Sequence, residues 1–172
     1  MRKPTVSELI GLLDKPALLK WANNLGLKGV SIDEHKRLLA SKGTSLHRQI
    51  KDYLEKNVSP TDKILKEKVP LFKKKIKLIS VEEPIETDYF IGRLDVRFEY
   101  KGSLYISDFK SSKSIYLENK LQLCAYKMAY PDCKVAITQI PNMITTPLNL
   151  DFEKGVEILK ALSIIYNLKE VL

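Results

Sequence analysis

Apolar residues recur at helical spacing through the first third of the chain, alternate with polar ones through its middle, and return to helical spacing afterwards. Thr5 with Glu8, and Ser31 with Glu34, have the spacing of a capping box ahead of an apolar-periodic run, so each predicts a helix start. Asp14 and Pro16 predict another helix, closed near Gly26. Leu46, Ile50, Tyr53 and Leu54 form the stripe of a separate helix over 44–56, with His47 beside that stripe. Ser59 and Pro60 then signal a turn and a short helix leading into a lysine run, Lys63 to Lys77.

Strands are predicted over 76–82, 89–100 and 103–110. In the second, Phe90, Leu94, Val96, Phe98 and Tyr100 alternate with Arg93, Asp95, Arg97 and Glu99, which predicts one apolar and one charged face. Lys101-Gly102 fits a two-residue hairpin loop, because glycine supplies a positive φ. A helix over 116–130, a buried strand over 133–140 and an amphipathic helix over 151–168 complete the order: helices, three strands, helix, strand, helix.

A chain of 172 residues is expected to form one domain with one core. Its 44% hydrophobic and 29% charged residues fit a globular protein. Charge changes the picture more, since 29 Lys+Arg against 21 Asp+Glu leave a formal +8, which attracts polyanions and makes nucleic acid the first partner to consider. A merely soluble basic surface is the alternative. Cys124 and Cys133 are too few for a disulfide framework or a tetrahedral zinc site and read as reduced core thiols. No segment approaches the ~20 apolar residues of a membrane span, so the expected location is cytoplasmic, in a prokaryotic cell or as a viral product in its host, without a membrane partner.

An acidic residue two before a lysine occurs five times, at Glu34/Lys36, Glu99/Lys101, Asp108/Lys110, Glu118/Lys120 and Asp132/Lys134. Only Asp108/Lys110 closes a well-formed strand, where a spacing of two puts both side chains on one face. A loop at Lys101-Gly102 pairs Tyr100 with Ser103, and the same register sets Asp95 opposite Asp108. Like charges with Cβ atoms ~5 Å apart repel unless something lies between them. A divalent cation, Mg²⁺ or Mn²⁺, resolves the conflict, with open positions left for a phosphate and its attacking water. Lys110 would then orient or deprotonate that water and offset charge on the phosphoryl oxygens. A strand-end salt bridge among Arg93, Asp95, Asp108 and Lys110 is the competing reading, and a three-residue loop or a bulge would separate the aspartates.

Four segments in order carry a family resemblance: Gly43-Thr-Ser-Leu-His47 with Ile50 and Tyr53-Leu54, Gly92-Arg-Leu-Asp95, Asp108-Phe-Lys110, and Gln122-Leu-Cys-Ala-Tyr126. Together they resemble the PD-(D/E)XK nuclease superfamily, in the branch similar to the nuclease domain of the helicase-nuclease RecB and marked by a Gln-x-x-x-Tyr motif. The likeness is strongest over 43–140. It implies an α/β (α+β) fold with a restriction-endonuclease-like core, a mixed central sheet flanked by helices, and extra N-terminal helices. The expected division is an N-terminal helical extension (1–42), a catalytic core (43–140) and a C-terminal loop and helix (141–172) within one nuclease domain.

The same resemblance implies His47, Asp95, Asp108 and the main-chain carbonyl of Phe109 as metal ligands. Glu82 is a further candidate, although Glu83 follows it and the register could favour either or neither. Asp95, Asp108, Lys110, Gln122 and Tyr126 form the implied catalytic set, with Gln122 and Tyr126 on one helix face positioning Lys110 and the DNA backbone. An ordinary amphipathic helix with the stripe Leu117, Leu121, Cys124 and Met128 explains that segment equally. Some relatives bind an iron-sulfur cluster through four cysteines; this chain lacks them, so no cluster is expected.

The implied activity is Mg²⁺- or Mn²⁺-dependent hydrolysis of DNA, exonuclease-like or at single strands, ends or flaps, in recombination or repair, with a helicase or recombination protein as candidate partner. A catalytically inactive nucleic-acid-binding module of the same fold is the alternative. Lys73, Lys74, Lys75, Lys113 and Lys120 are candidates for the DNA path, against the alternative of a solvated face or a lysine-guarded edge strand.

Overall fold

The Thr5 hydroxyl accepts the Glu8 amide at 3.1 Å while the Glu8 carboxylate accepts the Thr5 amide at 2.7 Å, so a complete capping box opens α1 (Val6–Gly11). The computed structural model describes residues 2–14, 16–112 and 114–169. Pro16 opens α2 (Pro16–Gly26), as the sequence predicts. The two helices expected after it are one, α3 (Ile32–Lys56), 25 residues long. Ser31 caps it through the Glu34 amide, no proline interrupts it, and the space where a Cβ of Gly43 would stand is open, so that glycine carries only its intrinsic propensity cost of about 1 kcal/mol. Asn57, at φ 57°, ends α3 in the left-handed conformation.

Asp62 accepts the Ile64 and Leu65 amides, both at 3.0 Å, and starts α4 (Lys63–Lys75). The lysine run is therefore mostly helical: Leu65, Val69 and Phe72 face the core and the ammoniums point outward. Five strands follow, β1 (Lys77–Glu86), β2 (Ile91–Tyr100), β3 (Ser103–Lys110), β4 (Lys134–Gln139) and β5 (Ile144–Leu148), with α5 (Leu117–Ala129) between β3 and β4 and α6 (Phe152–Lys169) last. Spatial order equals chain order. Only β3 and β4 run parallel, joined through α5; the other neighbours are antiparallel. The fold is α+β, a mixed central sheet flanked by helices, with additional N-terminal helices.

β5 corrects the expectation of a loop after 140. Pro147 removes a backbone donor and argues against a strand, but β5 is an edge strand, the place in a sheet where proline is tolerated.

Helices cover both faces of the sheet. One apolar layer gathers α1, α5 and α6 against Phe90, Leu94, Ile106 and Ile137; the other gathers α3 and α4 against Val96, Phe98 and Phe109. The apolar residues of β2 thus do not share one face, as strict alternation predicted. Phe90 and Leu94 pack on one side of the sheet and Val96 and Phe98 on the other, so the alternation breaks at Asp95. Among the described residues, no helix is long and apolar enough to cross a membrane.

Gly155 lets α6 approach α5. A Cβ there would stand 2.4 Å from Cys124 Sγ and 3.0 Å from Cys124 Cβ. Gly155→Ala is therefore expected to destabilise the protein by about 1–3 kcal/mol despite its better helix propensity, and Cys124→Ala in the same chain should recover part of the loss in chemical denaturation.

Candidate metal centre

The hairpin loop is Lys101-Gly102, with φ of 49° and 73°, the positive pair a two-residue turn requires. Tyr100 pairs with Ser103 and the ladder continues to Val96 with Ser107. One step further in the same register stand Asp95 and Asp108. Regular pairing stops there because the Asp95 carboxylate enters between the strands and accepts the Phe109 amide at 2.6 Å. On the other side, Val81 pairs with Val96 and Glu83 with Leu94, which sets Glu82 opposite Asp95. Three adjacent strands thereby bring three carboxylates into one row.

Glu82 is selected over Glu83 by backbone shape. The register shifts between Leu78 and Ser80, and Glu82 has a φ of 51°, so consecutive side chains do not simply alternate. Glu83 turns to a separate polar cluster, where Arg97 donates to it twice at 3.0 Å and Tyr130 and Ser80 donate as well. Glu82 instead joins His47 and Asp95, with one ligand atom from each lying within 4.8 Å of the others. The guanidinium of Arg93, largely exposed, lies 3.5 Å from Glu82.

His47 projects from α3 to this row. Its Nε2 lies 3.0 Å from the Phe109 carbonyl oxygen, and its Nδ1 3.7 Å from Asp95 Oδ2. A carbonyl oxygen can only accept, so the tautomer that fits carries its proton on Nε2 and leaves the Nδ1 lone pair toward the carboxylates. Burial holds the imidazole below its usual pKa and favours the neutral form. A ring nitrogen that donates to a backbone carbonyl while the other stays free is the usual arrangement of a metal-binding histidine. The Phe109 carbonyl, expected as a ligand, is engaged in orienting His47.

Asp108 has 1% of its surface exposed, and neither carboxylate oxygen makes a hydrogen bond. Lys110 Nζ sits 2.6 Å from Oδ2, an ion-pair contact outside hydrogen-bonding alignment. Burial, reinforced by the Asp95 charge and opposed by Lys110, pushes the Asp108 carboxyl up to about 7. Burial likewise raises Asp95 to about 6, against the pull of the Phe109 amide. Buried carboxylates with free lone pairs, beside one imidazole nitrogen, fit a small divalent cation of the Mg²⁺ or Mn²⁺ type.

Lys110 donates to Gln122 Oε1 at 3.0 Å, and Gln122 Nε2 donates to the Tyr126 hydroxyl at 2.5 Å. The four-residue spacing on α5 thus builds a chain that fixes the Lys110 ammonium. Burial and the nearby carboxylates raise the Tyr126 phenol, which remains protonated.

The lysines expected along a DNA path are dispersed. Lys73 donates to the Leu54 carbonyl at 2.7 Å and to Asn57 Oδ1 at 2.8 Å, so its charge closes the end of α3. Lys74 and Lys75 are exposed on the last turn of α4, and Lys120 is exposed on α5. Lys113 lies outside the described residues.

No family model and no curated protein matches the chain. Among solved structures it is similar to the crystal structure of SSO0001, at 17% identity and a TM-score of 0.47, over 94% of this chain and 75% of that one.

Proposed function

We propose that the chain is a metal-dependent deoxyribonuclease of the PD-(D/E)XK type, acting on single strands, ends or flaps. The observation that carries this reading is the group of His47, Glu82 and Asp95, one ligand atom of each within 4.8 Å of the others, with the buried Asp108 carboxylate on the adjoining strand held by an ion pair to Lys110. The acidic-x-Lys strand end and the Gln122–Tyr126 pair, which match the motifs of the RecB-like branch, support the same reading.

His47, Glu82, Asp95 and Asp108 would hold the cation. When bound, it supplies Lewis-acid polarisation of the scissile phosphate and of the attacking water. Lys110, held by Gln122, directs its ammonium at the charge that grows on the phosphoryl oxygens. Tyr126 holds its proton and anchors Gln122, so the ammonium keeps one direction. Arg93, largely exposed and 3.5 Å from Glu82, would meet a neighbouring phosphate. The formal charge of +8 favours any polyanion, so binding should weaken steeply with salt.

The test uses end-labelled single-stranded, flapped and duplex DNA with millimolar Mg²⁺ or Mn²⁺. Cleavage that disappears in excess chelator is expected. Salt-sensitive binding without cleavage in either metal would leave a binding module of this fold in its place.

A further inference from the structure

A cavity of about 620 Å³ contains none of the residues of the metal centre. It is a groove on the α4 side of the sheet, walled by Lys68, Phe72 and Lys75, floored by Phe98, Tyr100 and Tyr105, and closed by the β4–β5 turn and β5. Resting on the nuclease reading above, we propose that this groove is a stacking subsite for unpaired bases of a single-stranded nucleic acid.

Its floor is aromatic. Phe98, buried in the core, stacks on Tyr105 with centroids 5.6 Å apart and planes at 12° and so fixes that ring, and the more exposed Tyr100 extends the surface at the end of β2. Two ammoniums lie next to these rings outside the groove lining: Lys101 Nζ is 5.4 Å from the Tyr100 centroid, and Lys134 Nζ, which also donates to Ser103, is 5.8 Å from that of Tyr105. Lys75 projects from α4 without an ion pair to any described residue, and Lys68 is held by Glu67 at 2.6 Å. No carboxylate lines the groove. Apolar rings for bases, ringed by cations for phosphates, are the two components of sequence-tolerant single-strand binding.

Its direction also fits. The Ile140 amide donates to the Lys110 carbonyl at 2.9 Å, and Asn142 and Met143 of the groove follow directly. β5 then leads back along β4, from Ile144 opposite Gln139 to Leu148 opposite Val135. One end of the groove therefore lies near the end of β3, whose Lys110 side chain turns to α5 on the other face of the sheet, and the other end reaches Tyr105, five residues or ~17 Å back along β3. A strand whose scissile phosphate lay at the metal centre would round this sheet end to reach the aromatic groove. An extended peptide adding to β5 would meet an edge interrupted by Pro147, which has no amide to donate.

Binding is measured in chelator, so that hydrolysis plays no part, with fluorescein-labelled oligothymidylate and the matching duplex. Tyr100→Ala and Tyr105→Leu are each expected to weaken single-strand binding about fivefold or more, with duplex binding unchanged. Lys75→Glu, on an exposed helix position, should weaken it as well, and it guards against a folding defect in Tyr105→Leu. Photocrosslinking of a 5-iododeoxyuridine strand should label Tyr100 or Tyr105. Unchanged affinity in all three variants, or crosslinks confined to other elements, would overturn the proposal. Binding lost in the variants of a protein that cleaves nothing would retain the groove and discard the nuclease reading; cleavage with unaltered affinity in the variants would do the reverse.

Discussion

Asp108→Asn is expected to reduce metal-dependent DNA cleavage by roughly a thousandfold or more while making the metal-free protein harder to unfold at pH 8. Both effects have one origin. The Asp108 carboxylate is buried with the Lys110 ammonium against one oxygen and no aligned hydrogen bond, which suits a cation and leaves its charge incompletely compensated. Its carboxyl is raised to about 7 in the folded protein. A group raised in this way binds its proton more tightly folded than unfolded, so stability is highest below the unfolded value near 3.9 and declines as pH climbs through the folded value. At pH 8 the decline is complete, on the order of 4 kcal/mol for a shift of about three units. An amide carries no charge but leaves polar atoms buried, at about 1–3 kcal/mol. The net gain is then about 2 kcal/mol, or roughly 4–8 °C in Tm for a protein of this size. At pH 4 the gain should vanish. A variant that is less stable than the parent at pH 8 would mean that stronger contacts hold Asp108 than those to Lys110.

Addition of Mn²⁺ should raise the melting temperature at pH 8 and leave it unchanged at pH 5. Metal and proton compete for the same oxygens, and the two aspartates hold protons up to about 6 and about 7. His47, held below its ordinary value by burial, stays available through most of this range. The stabilisation should therefore appear as pH rises between 5 and 8. At a hundredfold excess over Kd it amounts to about 2.7 kcal/mol, equivalent to roughly 5–10 °C. Thermal unfolding in Mn²⁺ and in chelator, repeated across pH, measures it directly. Equal stabilisation at both pH values, or full stabilisation of Asp108→Asn, would place the cation elsewhere.

The elements that the sequence predicts correctly are those fixed by local chemistry. Thr5 and Glu8 cap each other, Pro16 opens α2, and Lys101-Gly102 turns the hairpin in the register that brings Asp95 to Asp108. What sequence reasoning misses depends on contacts made far along the chain. Gly43 looks like a helix boundary and is not one, since nothing around it demands a break. β5 is hidden because its tolerance for Pro147 follows from edge position, which no local signal reveals. The apolar alternation of β2 does not announce its reversal at Asp95, because that reversal is made by a carboxylate bonding the next strand. The same limit governs the site. Asp95, Asp108, Lys110, Gln122 and Tyr126 come together at the positions the motifs suggest, but the choice of Glu82 over Glu83 rests on an irregular register and a positive φ. Lys73 is indistinguishable from its neighbours in sequence and differs from them in capping α3.

Two carboxylates, of Glu82 and Asp95, and the His47 imidazole bring ligand atoms within 4.8 Å of one another, with Asp108 on the adjoining strand, and a crystal soaked in Mn²⁺ tests most directly whether they share a cation, through anomalous scattering. One strong peak bounded by His47 Nδ1, Glu82, Asp95 and Asp108, with Lys110 Nζ displaced from Asp108 Oδ2, is the expected result. No peak at millimolar Mn²⁺ above pH 8, with the Lys110 ammonium still against Asp108, would contradict it and leave the row of carboxylates as a salt-bridged strand end.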